Sequence, residues 1–218
     1  MLTFTVLGFC ADTGQVGIGI ATASIAVGGL CPFVTPHGDI VSSQAYARLE
    51  LGLDTVRHLN AGGSLETLSE LLRLSDDNFE YRQLGVMLRT GAHWVHTGTS
   101  CRLWADHRSA RGCVSMGNFL AGAVVVDEML EAFVAGDVAP LAERLLCARE
   151  AGRAAGGQAD ANGQPVRERS AALVVAGGGQ LAALEDAAVT PALAVWEAEH
   201  LDAEGVPTVM HPERQGLR

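Results

Sequence analysis

The sequence is poor in aromatic residues, 5% in all, and poor in positive charge, with 15 Lys and Arg against 25 Asp and Glu. The resulting net charge of −10 argues against a nucleic-acid partner, which needs clustered basic residues to displace counterions. It argues equally against a membrane partner, since anionic lipid attracts basic segments. Paired cysteine spacing is missing too. Cys10, Cys31, Cys101, Cys113 and Cys147 are odd in number, irregularly spaced and without a CxxC, which predicts a reducing, cytoplasmic setting rather than a disulfide framework. The N-terminus lacks a basic region, so a secretory signal is not expected. Thr13 to Pro36 carries no charge, but it holds Gly14, Gly17, Gly19, Gly28, Gly29, Thr22, Ser24 and Pro32. A membrane span is more uniformly apolar. Internal repeats are absent. So are a GxGxxG leading from strand to helix, a GxxxxGK[ST] and a GxSxG, which weighs against nucleotide binding and serine α/β-hydrolase chemistry. No cofactor is expected.

What is present is a chain of 218 residues, 48% hydrophobic and with 26 Gly. That suits a single domain over 1–218, with an irregular tail after about residue 202 and a core built without disulfides or metal. The many small residues suit layers that approach closely. Leu2 to Phe9 reads as a strand rich in β-branched and aromatic residues. Ala11 to Gly14 reads as a turn, and Val16 to Ala26 as the returning strand. Gly17, Gly19, Ala21 and Ala23 give that strand a face of small residues, suited to close approach by another sheet or a ligand. Asp39 to Gln44 is a further strand. Arg82–Leu88 and His93–Thr97 form a hairpin, and Ala171–Ala176 and Leu181–Leu184 form another.

Helices are expected over Leu49–Leu59 and Leu65–Leu74, the second capped by Ser64 with Leu65, Leu68, Leu71 and Leu72 on one face. Two more are expected over about Leu120–Val134 and Val138–Arg153. Asp137 is the candidate cap of the last, with Pro140 in its first turn and Gly156-Gly157 at its end. Ala159 to Arg167 reads as a polar loop. Several strands are apolar on both faces, such as Phe4 to Leu7 and Ala171 to Val175. Strands covered on both sides read this way, and two sheets with helices outside both would supply the cover.

Reactive side chains concentrate between His93 and Asn118. His93 and His96 are three apart in a strand and point to opposite faces, so a shared metal ion is not expected. A Cys101–His107 nucleophile pair is one alternative, with a buried structural Cys as the commoner case. Another candidate is Thr3, at the start of the first strand. A threonine hydroxyl needs an adjacent base. If Thr3 became residue one, its own α-amine, with an unperturbed pKa near 8, would be that base.

An ordered set of blocks adds to this reading. Thr3-Phe4 opens it, followed by Asp12-Thr13-Gly14 with Val16-Gly17, Ala26-Val27-Gly28, Ser43-Gln44-Ala45-Tyr46-Ala47 and Arg82-Gln83-Leu84-Gly85-Val86. Then come Thr97-Gly98, Cys101, Trp104-Ala105, His107, Ser115-Met116-Gly117-Asn118 and Leu120-Ala121-Gly122. Ala155-Gly156-Gly157 and Ser170-Ala171-Ala172-Leu173 close it. In order and spacing these blocks resemble the bacterial and archaeal family called domain of unknown function 1028, grouped with the N-terminal-nucleophile (Ntn) hydrolases.

The resemblance implies an α+β fold, a four-layer αββα sandwich of two mainly antiparallel sheets. It implies Thr3 as nucleophile, Asn118 and Gln44 as amide donors to an oxyanion, and Arg82, Cys101, Trp104 and His107 as residues shaping a substrate pocket. The activity implied is hydrolysis of an amide in a small molecule or a peptidoglycan-like fragment. The alternative is a non-catalytic ligand-binding or assembly module on the same fold. A homodimer is expected only because C₂ dimers are the commonest oligomers. The chain departs from the family pattern at Asp106, Met116 and Arg169, and Leu2 stands between Met1 and Thr3. Ordinary removal of an initiator Met needs a small second residue, so exposing Thr3 requires a different cleavage.

Overall fold

The structure is a computed structural model that describes residues 1–177 and the backbone of one further strand, Gln180–Ala187. The elements in order are β1 (Thr3–Cys10), β2 (Gln15–Thr22), β3 (Pro32–Val34), β4 (Ile40–Ala45), α1 (Leu49–Asn60), α2 (Leu65–Ser75), β5 (Arg82–Met87), β6 (His93–Thr97), β7 (Asp106–Ala110), β8 (Cys113–Asn118), α3 (Val124–Ala135), α4 (Leu141–Ala154), β9 (Gln158–Ala159), β10 (Pro165–Val166), β11 (Ser170–Gly177) and β12 (Gln180–Ala187). Six strands form one antiparallel sheet in the order β12-β11-β2-β1-β8-β7, and four form a second in the order β3-β4-β5-β6. The expected irregular tail lies outside the described residues. No helix among those described is long and apolar enough to cross a membrane.

Three apolar clusters show why the sequence folds this way. Alternation along β1 sends Phe4 and Val6 to one face and Leu7 to the other. Phe4 and Val6 join Val125, Met129 and Phe133 of α3 and Leu141 and Leu145 of α4. Leu7 joins Ile18 and Ile20 of β2, Ile40 of β4, Met87 of β5 and Val114 of β8. That second cluster draws on both sheets, so it lies where they face each other. The third joins the outer face of the smaller sheet (Phe33, Val41, Leu84, Val86) to Leu51 and Val56 of α1 and Leu68 and Leu72 of α2. The doubly apolar strands are thus covered on both sides, as their composition requires.

The small-residue face of β2 receives a helix, not a sheet or a ligand. A Cβ on Gly17 would stand 2.7 Å from Leu145 Cδ1, and one on Gly19 would stand 3.1 Å from the Leu145 carbonyl oxygen. The backbone of α4 therefore lies directly against the strand, which only glycine permits. Three strands, β3, β7 and β8, are additional to those expected, and the polar loop contains the short β9–β10 pair. The third expected helix begins at Val124 rather than Leu120, because Leu120 N donates to the Trp104 carbonyl and Leu120 bridges to Gln158. Asp137 does not cap α4; Pro140 occupies the N-cap position in extended backbone and Leu141 begins the helix. Ser64 does stand at the N-cap of α2, though its hydroxyl makes no capping bond. Leu68 and Leu72 are buried there, whereas Leu71 is exposed.

One contact sets two magnitudes against each other. Gly52 lies inside α1, where Ala is favoured over Gly by about 1 kcal/mol. A Cβ there would sit 2.2 Å from the Phe33 ring, and forcing a methyl group into such a contact costs about 1–3 kcal/mol. Gly52→Ala should therefore lower the denaturant midpoint despite its better helix propensity. Combining it with Phe33→Leu should recover part of the loss.

Candidate functional site

The layer between the sheets changes character along its length. At one end it is Leu7, Ile40, Met87 and Val114. Following each strand by alternation leads to Thr5 and Thr3 on β1, Ser42 and Gln44 on β4, Gln83 on β5 and Asn118 on β8. All six are completely buried. Buried polar side chains are costly unless they are bonded, and all of these but Thr3 are bonded to one another.

Gln83 is the hub. Its Oε1 accepts from Gln44 Nε2 at 2.8 Å and from Asn118 Nδ2 at 3.1 Å. Its Nε2 lies 2.9 Å from Thr97 Oγ1, 2.9 Å from the Gly117 carbonyl and 3.2 Å from the Asp106 carbonyl. Gln44 Oε1 accepts from Thr5 Oγ1 at 2.6 Å and from Ser42 Oγ at 3.3 Å. The chain of bonds thus crosses from one sheet to the other and back. It ends on Asn118, whose Oδ1 is buried and has no hydrogen-bond partner among the described residues.

Thr3 lies beside this end. It pairs with Asn118 on one side and Thr22 on the other. Thr3 Oγ1 donates to Thr22 Oγ1 at 3.3 Å, and Thr22 Oγ1 donates to the Leu2 carbonyl oxygen at 2.5 Å. Asn118 also borders a cavity of about 390 Å³ lined by Met1, Ala45, Tyr46, Asn78, Tyr81, Ser100, Cys101, Arg102 and Phe119. Thr3 is not in that wall; Met1 is. The Met1 amine donates to the Ala45 carbonyl at 2.6 Å, and burial lowers its pKa, outweighing the opposing pull of Cys31 and Cys101. Ala45 and Phe119 hold left-handed backbone, at φ 70° and 53°. Such strain costs a residue with a Cβ about 1–3 kcal/mol and concentrates at functional sites.

The remaining candidates fall around this cavity, and most stay outside it. Arg82 points away from Gln83 and is buried against Asp76, with Nε 2.7 Å from Oδ2 and Nη2 3.2 Å from Oδ1. It also donates to the Tyr46 carbonyl and lies under the Tyr46 ring, 5.1 Å from its centroid. Its part is to hold the cavity rim. Cys101 is in the wall, but its thiol donates to the Arg82 carbonyl, and burial pushes it up to about 11. That leaves little thiolate at neutral pH.

Trp104 is 64% exposed and outside the wall. His107 Nδ1 is bonded to Thr97 Oγ1 at 2.9 Å, and burial lowers its pKa against the Asp106 charge. Cys101 and His107 make no hydrogen bond to each other. His93 and His96 do point to opposite faces, and His96 stacks on Phe79 at 4.1 Å. Among the described residues no cluster of three or more His, Cys, Asp or Glu could hold a metal ion. Gln83, Thr5 and Thr22 were not singled out from the sequence. Gln83 stands within one of the quoted blocks, beside an arginine that drew the attention.

These features define an α+β protein of two antiparallel sheets whose facing layer ends in a buried amide network beside a small cavity. Its family is shown by sequence. The model of the family of unknown function DUF1028 matches residues 3–197, and the chain belongs to that family. It is similar to the crystal structure of a protein of that family from Silicibacter pomeroyi, with 28% identity and a TM-score of 0.75 over 86% of this chain and 82% of that one. No curated protein matches it significantly.

Two outcomes follow from the bonds at this site. Gln83→Leu leaves the buried Gln44 and Asn118 amide donors unmet at about 1–3 kcal/mol each. It should therefore destabilise the fold, as read by urea denaturation, and Gln83→Glu should not restore it at pH 7, because a buried carboxylate oxygen would face the Gly117 and Asp106 carbonyl oxygens. The second concerns pH. Hydrogen bonding to Arg82 is the main cause holding the Asp76 carboxyl below its ordinary 3.8. A depressed carboxylate pKa gives stability that is present above 3.8 and lost as pH falls through the lower folded value. Asp76→Asn should cost about 3–5 kcal/mol at pH 7 by stranding Arg82. The gap from wild type should narrow in unfolding curves taken below pH 4.

Proposed function

We propose that the chain is an amidohydrolase of the N-terminal-nucleophile type, built on the four-layer αββα sandwich of those enzymes. Thr3 is its nucleophile once Met1 and Leu2 are removed. The observation that carries this reading is the position of Thr3: the first residue of β1, paired with Asn118, which borders the cavity, and two residues after Met1, which also lines it. Cutting the Leu2–Thr3 bond would take Met1 out of the cavity wall and leave an α-amine where Leu2 had been. Thr3 is completely buried, and burial of an amine favours its neutral, proton-accepting form.

In the proposed reaction the amine takes the Thr3 hydroxyl proton as Oγ1 attacks the substrate carbonyl. The C–N bond then breaks, the leaving nitrogen takes the proton, and water releases the acyl group from Oγ1. Asn118 Nδ2 carries two hydrogens, of which Gln83 uses one, so the second is free for an oxyanion. Gln44 is fully buried and outside the cavity wall. It supports Asn118 through Gln83 and does not touch substrate.

The test is the intact mass and N-terminal sequence of the purified chain, followed by turnover of small amides. A chain beginning at Thr3 should hydrolyse an amide that the uncut chain leaves intact, and Thr3→Ala should lower kcat by roughly 10⁴-fold or more. Its kcat/KM should rise with pH and level off below 8, as the amine loses its proton. A cleaved chain whose turnover survives Thr3→Ala would refute this reading. An uncut chain that binds ligands without turnover would favour the binding-module alternative.

A further inference from the structure

The cavity wall is electrically one-sided. The chain has no lysine, and all 15 basic side chains are arginine. Arg102 is the sole Asp, Glu, Lys or Arg among the residues that line the cavity. Among the described residues its guanidinium makes no hydrogen bond or ion pair. The carboxylates on the segment that supplies Asn78 and Tyr81 do not neutralise it. Asp76 is bound by Arg82 and Arg48. Glu80 accepts from Thr99 N–H and from Arg73, which hold it down to about 2. Asp77 is exposed and outside the wall.

In a chain of net charge −10, an exposed, unpaired arginine lining a cavity marks a place for an anion supplied from outside. A guanidinium presents a planar fork of N–H donors that matches a carboxylate in two bonds. The rest of the wall limits what can carry that carboxylate. About 390 Å³ lies near the lower end of small-molecule sites. Tyr46 and Tyr81, set edge to face at 6.5 Å, give an aromatic side to the wall. Asn118 Oδ1, lacking a partner, is an acceptor for an N–H.

We infer that the ligand class of this cavity is a small N-acylated amino acid. Its carboxylate is held by Arg102, its amide N–H faces Asn118 Oδ1, and its side chain lies against Tyr46 and Tyr81. This assignment rests on the hydrolase reading for the bond that is cut, but the anion site is testable without turnover.

The probes are N-acetyl-L-leucine and its uncharged counterpart N-acetyl-L-leucinamide, titrated into the full chain and followed by proton NMR and calorimetry. The acid should bind about tenfold more tightly than the amide, the size of one charge-assisted hydrogen bond. Arg102→Gln should make the two equal, and Arg102→Lys should keep part of the preference. Arg102 is exposed, so both variants should melt as wild type does. Equal binding of the two probes to wild type, no binding of either at millimolar concentration, or an unchanged preference in Arg102→Gln would overturn the assignment. Released acetate is followed in parallel with the chain that begins at Thr3. Anion preference without turnover of any amide counts against the hydrolase reading alone. Turnover indifferent to Arg102 counts against the anion site alone.

Discussion

The constraint on which the rest depends is the satisfaction of the buried Gln83 amide. Two sheets with apolar inner faces can slide over each other at little cost, because hydrophobic contact is not directional. Hydrogen bonds between amides are directional, and leaving a buried one unmade costs about 1–3 kcal/mol. Gln83 draws donors from β4 and β8 onto one oxygen and shares its nitrogen among Thr97 and two carbonyls. One side chain thereby couples both sheets at a single register. A slip of β5 by one residue would turn Gln83 outward and bring Arg82 into the layer, which no acidic partner there could offset.

Arg82 and Gln83 divide the labour between the two faces of one strand. Gln83, facing inward, fixes Asn118 beside Thr3. Arg82, facing outward, holds Asp76 and the Tyr46 carbonyl. Tyr46 follows Ala45, whose left-handed backbone turns the chain over the cavity. The strain at Ala45 persists because neighbours on both sides determine it: the strand pair with Arg82 before the turn, and the guanidinium bond after it. The geometry of the cavity is thus tied to the same strand that organises the interior.

Much of the frame was legible because it rests on periodicity. β1, the β5–β6 hairpin, the β11–β12 hairpin and helices α1 and α2 all follow apolar spacing that a single chain displays. β7 and β8 do not. β7 is an edge strand carrying Asp106, His107 and Arg108, and β8 places Ser115 and Asn118 at buried positions. Neither shows the alternation of a half-buried strand, since what makes β8 acceptable inside is hydrogen bonding supplied by distant residues. The same holds for the site. Thr3, Asn118 and Gln44 were reachable through resemblance. Gln83 stood in one of the same blocks but was not singled out, because its importance lies in five partners from other segments. The glycine face of β2 showed close approach but not what approaches, since nothing in a strand's own sequence distinguishes a helix from a sheet on the other side.

The placement of the N-terminus gives these interactions a double use. In the uncut chain, Thr22 donates to the carbonyl of the Leu2–Thr3 peptide and accepts from the Thr3 hydroxyl. One hydroxyl thus touches both the carbonyl of the bond proposed to break and the oxygen proposed as nucleophile. Remove Met1 and Leu2, and Thr22 loses an acceptor while Thr3 gains an amine, at a point where burial already disfavours charge. The rigidity needed to hold Thr3 in either form comes from β1 lying between β2 and β8. A nucleophile on a loop would need separate support. At the start of a central strand, the sheet that builds the core also holds the group proposed to react.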